Sequence, residues 1–208
     1  TLNSIIMEEL FSFLLASILL TLAPGPDILL VLSESLTKGS KSALMLAAGL
    51  VCGLPFHTLV LVLGWGQFIG FYPNLIVVIK ICGALYFLYL AIQTFNNLKI
   101  EVHKTELIEK ESFTIFKKGL LMNLLNPKVS LFFWLFFPSF LFHDSLPHGT
   151  QYAILGGLFM LQAAVVFTFV SFAAATLIAP ILNNPKSLYW MNFGQGILLI
   201  GIAIYLLF

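Results

Sequence analysis

The sequence predicts an all-α integral membrane protein, with six transmembrane helices arranged as two inverted three-helix repeats and with proline-broken first and fourth helices. Three observations predict this fold. Of the 208 residues, 60% are hydrophobic and 9% are charged, whereas soluble domains carry about 25% charged residues. Apolar stretches of the roughly 20 residues needed to span a bilayer recur along the chain. Prolines interrupt two of these stretches at corresponding places.

Six stretches are long and apolar enough to cross a bilayer, and short connections join most of them. They are 5–36, 42–64, 74–95, 114–142, 151–180 and 187–208. We therefore expect a single polytopic transmembrane domain over 1–208, in which a first repeat (1–95) and a second repeat (119–208) flank a cytoplasmic linker (96–118). Because each repeat has an odd number of spans, the second repeat inserts upside down relative to the first.

The first stretch is over-long and broken by LAPGPDILLVL at residues 22–32. Glu8 and Glu9 stand where a cleavable signal peptide would carry positive charge, so we expect a retained span. Prolines inside a helix remove hydrogen bonds, and in lipid the freed carbonyls need partners from protein or from a wet cavity. The Pro24-Gly25-Pro26 sequence therefore predicts an unwound joint, after which a new helix starts at Pro26.

The second and third stretches are continuous and contain few polar residues. Cys52 and Cys82 lie there, and we expect both to behave as small apolar residues. His57 is a candidate for relaying a coupling proton, because histidine titrates near neutral pH; the alternative is a histidine bonded to a neighbouring carbonyl. Cys52 and His57 lie on different faces of a helix, so we expect no metal site.

The fourth stretch is broken at Asn126-Pro127, where asparagine suits the helix cap and proline suits the first helical position. This break corresponds to the one at Pro26. The fifth and sixth stretches carry small-residue sequences similar to those of the second and third. The similar segments are 47–50 with 155–158, and 83–86 with 196–199. Interrupted helices at matching places in inverted repeats indicate a transporter binding site.

Lysines predict the orientation of the chain in the membrane. The connections at 33–41, 96–118 and 183–187 hold two, five and one lysines, whereas those at 65–73 and 143–150 hold none. The lysine-rich connections are therefore expected in the cytoplasm and both termini outside. The net charge of +1 comes without a basic stripe, so we expect no nucleic-acid partner.

The two breaks are expected at the same depth. Each lies about ten residues, or roughly 15 Å of helix, from the cytoplasmic lysines, which is half of a ~30 Å hydrocarbon core. A helix start carries about half a positive charge and unpaired amide donors. Two starts that meet near mid-membrane therefore form a receptor for an anionic group such as a carboxylate.

Asp27 and Lys128 occupy matching positions just inside these starts, and two interpretations fit them. Each charge needs a partner or water, because a lone charge there costs at least ~2.5–3.5 kcal/mol. The two residues either form a permanent ion pair that locks the repeats together, or open to bind a zwitterion. In the second case Asp27 meets an ammonium, while Lys128 and the amides meet a carboxylate. Asn123 lies one turn before Pro127 and faces the same cavity.

The sequence favours a transporter over an enzyme. It contains neither a nucleophile–base arrangement nor haem or thiol-pair spacing, so we expect no cofactor. A cation exporter of a related membrane fold is the alternative function. Hard cations prefer several carboxylates, and Asp27 is the only acidic residue that we place deep in a span.

Two segments resemble signatures of the lysine-exporter (LysE/RhtB) family of bacterial amino-acid exporters. They are LAPGPDILLVLSESLTKGSKSALMLAAGL at 22–50 and GLLMNLLNPKVSLFFWLFFPSF at 119–140; KICGALYFLYLAI at 80–92 and the spacing of His57 also fit. The resemblance covers essentially the whole chain. One departure is Ser139, which follows Pro138 where many relatives have glutamine.

The resemblance implies a six-span carrier of the bacterial inner membrane that expels amino acids or close derivatives, driven by the proton gradient. The candidates for coupling the proton are Asp27 and His57. Small-residue helix faces would also allow a homodimer. The motif positions carried over to this sequence as substrate-binding are Pro24, Gly25, Pro26, Asp27, Asn123, Asn126, Pro127 and Lys128.

Overall fold

The computed structural model describes residues 2–23, 25–65, 73–96, 112–178 and 184–207, and over these residues it is helical apart from short connections. The α-helices along this part of the chain are α1 (Leu2–Leu22), α2 (Pro26–Lys38), α3 (Ser40–Val60), α4 (Pro73–Asn96), α5 (Ser112–Leu124), α6 (Pro127–Leu131), α7 (His148–Ala173) and α8 (Pro185–Leu207). Pro24 and residues 97–111 of the predicted linker lie outside the described residues.

Irregular helices extend three of these elements. A π-helix, Leu61–Trp65, continues α3, and another, Ala174–Ile178, continues α7. After α6 the chain passes through a π-helix, Phe132–Phe136, and then a 3-10 helix, Phe137–Phe140. π-Helical turns are rare in proteins, and those that occur are often found at functional sites.

The described helices confirm an all-α membrane protein. Four stretches are long and apolar enough to cross a bilayer alone: Ser40–Gly64, Val77–Asn96, His148–Ala173 and Tyr189–Leu207. Two further pairs of helices qualify together, so that counting each pair as one span gives six. The first pair, α1 with α2, bends by 55°, and the second, α5 with α6 and its extension, bends by 46°. Both bends fall at the prolines of the predicted breaks.

The connection between α2 and α3 is shorter than predicted. We expected a connection over 33–41, but α2 continues to Lys38 and α3 begins at Ser40. Gly39 alone separates them, with a φ of 86° that residues with a side chain rarely adopt. The last two turns of α2 are therefore part of the helix bundle.

The centre of the bundle is α3, which packs on α2, α5 and α7. Glycines allow the backbones of α3 and α5 to touch. A Cβ at Gly49 would overlap the carbonyl oxygen of Phe116, and a Cβ at Gly119 would overlap that of Leu46. Elsewhere α1 packs on α7, and α4 packs on α8. The close contact of α3 with α5 fixes the end of α5, where the second break begins.

The outward face of the bundle is apolar, as a lipid-facing surface requires. Leu63, Leu85 and Leu161 are each more than 60% exposed there. Cys52 and Cys82 are also exposed and free. They lie among these outward apolar side chains, away from the breaks.

Alanine at Gly49 or at Gly119 should destabilise the protein by about 1–3 kcal/mol, because neither backbone can move away without opening the α3–α5 contact. The measurement is the melting temperature of the purified protein in detergent. Gly157→Ala is the matched control, because a Cβ at Gly157 meets nothing within 4 Å. Equal melting temperatures for all three variants would contradict the packing described above.

Candidate functional site

The two breaks meet at one pocket. The end of α1 and the start of α2 line it from the first break, and the end of α5 and the start of α6 line it from the second. Leu54 of α3 and three residues of α7 (Phe159, Ala163 and Phe167) complete the wall. The interruptions therefore lie against protein on both sides, as unpaired backbone inside a bilayer requires.

Six of the eight predicted binding residues line this pocket. They are Gly25, Pro26, Asp27, Asn123, Asn126 and Lys128. Pro127 does not line it; Pro127 is the first residue of α6, where its missing N–H removes no helical hydrogen bond. Pro24 lies outside the described residues.

Asn126 joins the two breaks through its side-chain amide. Its Oδ1 accepts a hydrogen bond of 3.0 Å from the backbone N–H of Lys128, which caps the start of α6 as predicted. Its Nδ2 donates a hydrogen bond of 2.8 Å to Oδ2 of Asp27 in the other half of the chain. One amide group therefore satisfies a helix start and holds the carboxylate of the opposite helix start.

Lys128 is buried, with 7% of its surface exposed, and its ammonium donates to the end of α1. The Nζ atom lies 3.1 Å from the carbonyl oxygen of Ala23. A helix end carries unpaired carbonyls and partial negative charge, so a lysine there is favoured. Lys128 and Asp27 do not form an ion pair within 4.0 Å; the ion pair found among the described residues joins Lys38 and Glu34. In this structure, Asn126 rather than a direct ion pair links Lys128 to Asp27.

Two buried acceptor atoms of the pocket have no hydrogen-bond partner. They are Oδ1 of Asp27 and Oδ1 of Asn123. A buried polar atom without a partner costs about 1–3 kcal/mol. The start of α2 also lacks a side-chain cap, because its N-cap residue is Gly25. Oδ1 of Asn123 packs against Gly53 of α3. The pocket can therefore receive a donor at Oδ1 of Asp27 and an acceptor at the first amides of α2.

His57 contacts the site from behind Asn123. It is 1% exposed, and its Nε2 lies 3.3 Å from the backbone carbonyl oxygen of Asn123. Because a carbonyl only accepts, Nε2 carries the proton of this bond, and Nδ1 is left buried without a partner. The same carbonyl accepts from the backbone N–H of Asn126 at 3.1 Å. His57 is thus bonded to a carbonyl and is two hydrogen bonds from Asn126.

Sequence reasoning missed three features of the candidate site and its surroundings. The carbonyl of Ala23 was missed because the sequence prediction covered only the helix starts, although every break also leaves a helix end. The α7 wall was missed because the sequence of α7 is apolar on all faces. Glu34 was also missed: it is 2% exposed near the end of α2, so the first span has a second carboxylate inside the protein.

The tripeptide Asn-Pro-Lys occurs a second time, at the start of α8. There Oδ1 of Asn184 accepts from the backbone N–H of Lys186 at 3.0 Å, so the cap is the same as the one at Asn126. Asn184 and Lys186 are exposed, however, and do not line the pocket. The same tripeptide therefore caps a helix at both places, but only the buried copy contributes residues to the pocket.

The described residues bring no three histidine, cysteine, aspartate or glutamate side chains into an arrangement that could hold a metal ion. Glu34 is seven positions after Asp27 in α2, which is about 10 Å along the axis. The carboxylate cluster that a hard cation prefers is therefore not formed by this part of the chain.

Comparisons with known proteins identify relatives across nearly the full length. Residues 18–208 match the family of LysE type translocators. The chain is 30% identical over 197 residues to the homoserine/homoserine lactone efflux proteins of Salmonella typhimurium and Salmonella typhi, covering 93% of this chain and 94% of each relative. It is 26% identical over 205 residues to an uncharacterized membrane protein of Pseudomonas aeruginosa, covering 96% of this chain and 95% of that protein. No solved structure matches significantly.

Asn126→Ala should destabilise the protein more than Asn184→Ala. Both variants lose a helix cap worth about 1 kcal/mol, but only Asn126→Ala also removes a donor from the buried Asp27 carboxylate. We expect an additional loss of about 1–3 kcal/mol for Asn126→Ala, measured by thermal unfolding in detergent. Equal losses for the two variants would mean that the contact between Asn126 and Asp27 contributes nothing.

Proposed function

The chain belongs to the LysE type translocator family, and on this basis we propose that it exports a small amino acid or derivative across the bacterial inner membrane by proton-coupled secondary transport. Members of a translocator family are transporters and not enzymes. The pocket between the two helix breaks is the proposed site of binding.

The observation that carries this proposal is that Asp27 and Lys128 line the same pocket, together with polar atoms that have no hydrogen-bond partner. Oδ1 of Asp27, which has no hydrogen-bond partner, suits the ammonium of an amino acid. The remaining N–H groups of Lys128 and the uncapped amides of α2 suit its carboxylate. A zwitterion thus finds a partner for each of its charges, and it needs no rearrangement of Asn126.

Homoserine is the first substrate to test. Two relatives are named for efflux of homoserine and of its lactone. Homoserine carries both charges of an α-amino acid, whereas the lactone keeps the ammonium and closes the carboxylate into a ring ester.

We propose an architecture of two inverted repeats within one domain of six spans, with both termini outside. In such an arrangement the first, second and third spans correspond to the fourth, fifth and sixth, so that α1 corresponds to α5, α3 to α7 and α4 to α8. The packing of α3 on α5 then corresponds to that of α7 on α1, and α4 packs on its own counterpart, α8. The lysine distribution supports the orientation.

A cation exporter receives less support than an amino-acid exporter. The charged residues that line the pocket are one aspartate and one lysine, and a fixed ammonium repels a bound cation. Glu34 adds a second carboxylate to α2, but its partners are Lys38 and Ser42.

Asp27→Asn and Lys128→Ala should each abolish export while the protein still inserts. Removing one member of a buried charged set typically costs 2–5 kcal/mol, which corresponds to a loss of rate of about 30-fold or more. The measurement is efflux of radiolabelled homoserine from preloaded cells that express each variant at equal level.

Two exposed charges provide matched controls for this experiment. Asp144→Asn and Lys186→Ala change the same residue types outside the pocket and should leave efflux unchanged. Unaltered efflux in both Asp27→Asn and Lys128→Ala would defeat the proposal.

His57→Gln should separate coupling from binding, because glutamine can keep the bond to the Asn123 carbonyl but cannot titrate near neutral pH. In everted vesicles we expect exchange of labelled for unlabelled homoserine to persist, while stimulation by an imposed pH gradient disappears. His148→Gln, at an exposed position, is the control. Full stimulation in His57→Gln would remove His57 from the coupling step and leave Asp27 as the candidate.

A further inference from the structure

A buried carboxylate outside the pocket, Glu34, braces the end of α2. Its Oε1 lies 3.2 Å from Nζ of Lys38 and accepts a hydrogen bond of 2.6 Å from Oγ of Ser42. Ser42 belongs to the first turn of α3, and Gly39 is the only residue between the two helices. The end of α2 and the start of α3 are therefore fixed to each other as one unit.

The hydroxyl of Ser35 joins this unit to α7. It donates a hydrogen bond of 2.6 Å to the backbone carbonyl oxygen of Ser171, and both residues are buried. Ser171 lies just before the point at which α7 becomes a π-helix (Ala174–Ile178). Carbonyls near a π-helical turn are displaced from their regular helical partners, and such turns mark functional positions.

These contacts lie close to the pocket and on one side of it. Phe167 of α7 and Ile28 of α2 line the pocket. Ser171 is one turn beyond Phe167, about 6 Å along α7, and Ser35 is two turns beyond Ile28, about 10 Å along α2. The bond between Ser35 and Ser171 therefore closes the gap between α2 and α7 on the side of the pocket that leads to Lys38.

The opposite side of the pocket is closed by aromatic rings. Phe159 lines the pocket and lies edge-on to Phe133 at 5.0 Å between ring centroids. Phe133 stacks on Phe137 at 4.2 Å, and Phe137 meets Phe13 of α1 at 5.1 Å. This closure is apolar, so opening it exposes rings, whereas water can replace the hydrogen bonds of the polar closure.

We propose that the Ser35–Ser171 bond, with the Glu34–Lys38–Ser42 brace behind it, is a polar latch that closes the pocket toward the cytoplasm and opens to admit substrate. The assignment of this side to the cytoplasm rests on the proposed function and its orientation. The latch residues do not line the pocket, so they act on access and not on binding.

The latch is tested by the accessibility of a thiol in the pocket. The reporter is Ala163→Cys, in a background in which the exposed Cys52 and Cys82 are changed to alanine. A membrane-impermeant methanethiosulfonate reagent is applied without substrate to everted and to right-side-out vesicles, and the modification rate is measured with and without Ser35→Ala. Loss of one ordinary hydrogen bond should raise the rate in everted vesicles about fivefold.

Two further variants control for loss of structure. Ser17→Ala removes a buried hydroxyl that bonds only within its own helix, so the rate should not change. Ser35→Thr keeps a hydroxyl and should restore the slow rate. Glu34→Gln should raise the rate in the same vesicles as Ser35→Ala, because it loosens the brace.

The results also separate the latch from the proposed function. An unchanged rate with Ser35→Ala, an increase in right-side-out vesicles alone, or an equal increase from both sides would overturn the latch. Because the assay contains no substrate, a selective increase in everted vesicles supports the latch even where homoserine efflux is not found. In that case the proposed homoserine export is wrong and the latch stands.

Discussion

Backbone groups that a helix break leaves without partners must find them inside the protein, because the surrounding lipid offers none, and the arrangement of this site follows from that constraint. The first break leaves the carbonyl of Ala23, and Lys128 from the second break donates to it. The second break leaves the amide of Lys128, and Asn126 caps it while also holding Asp27 of the first break. The second break thus supplies hydrogen-bond donors to acceptors of the first break, which requires the two breaks to face each other.

The pocket is shaped by the groups that this exchange does not satisfy. The oxygens Oδ1 of Asp27 and Oδ1 of Asn123 have no partner, and the start of α2 has no side-chain cap. The exposed cap at Asn184 shows the contrast, because there water can reach every polar group and nothing is left for a ligand. Incomplete satisfaction in a buried place, and not a particular tripeptide, distinguishes the candidate site.

Much of this arrangement could be predicted from the sequence, because spans and breaks depend on local properties. Apolar length gives the spans, proline gives the breaks, and Asn126 next to Pro127 gives the cap. The partner of Lys128 could not be predicted, because a carbonyl belongs to every residue and so leaves no trace in the sequence. Glu34 was missed since a single residue, Gly39, makes the turn that was expected over 33–41. The side of α7 that lines the pocket could not be predicted either, because a helix that is apolar all round does not show which side is buried.

The formal charges of Asp27 and Lys128 cancel within one pocket. Moving one elementary charge through a membrane potential is worth about 2.3 kcal/mol per 100 mV. A site of zero net charge, whether unloaded or carrying a zwitterion, moves no net charge when it turns from one face to the other. The voltage therefore performs almost no work on the reorientation itself. In the proposed exporter, electrical energy would therefore enter mainly with a carried ion.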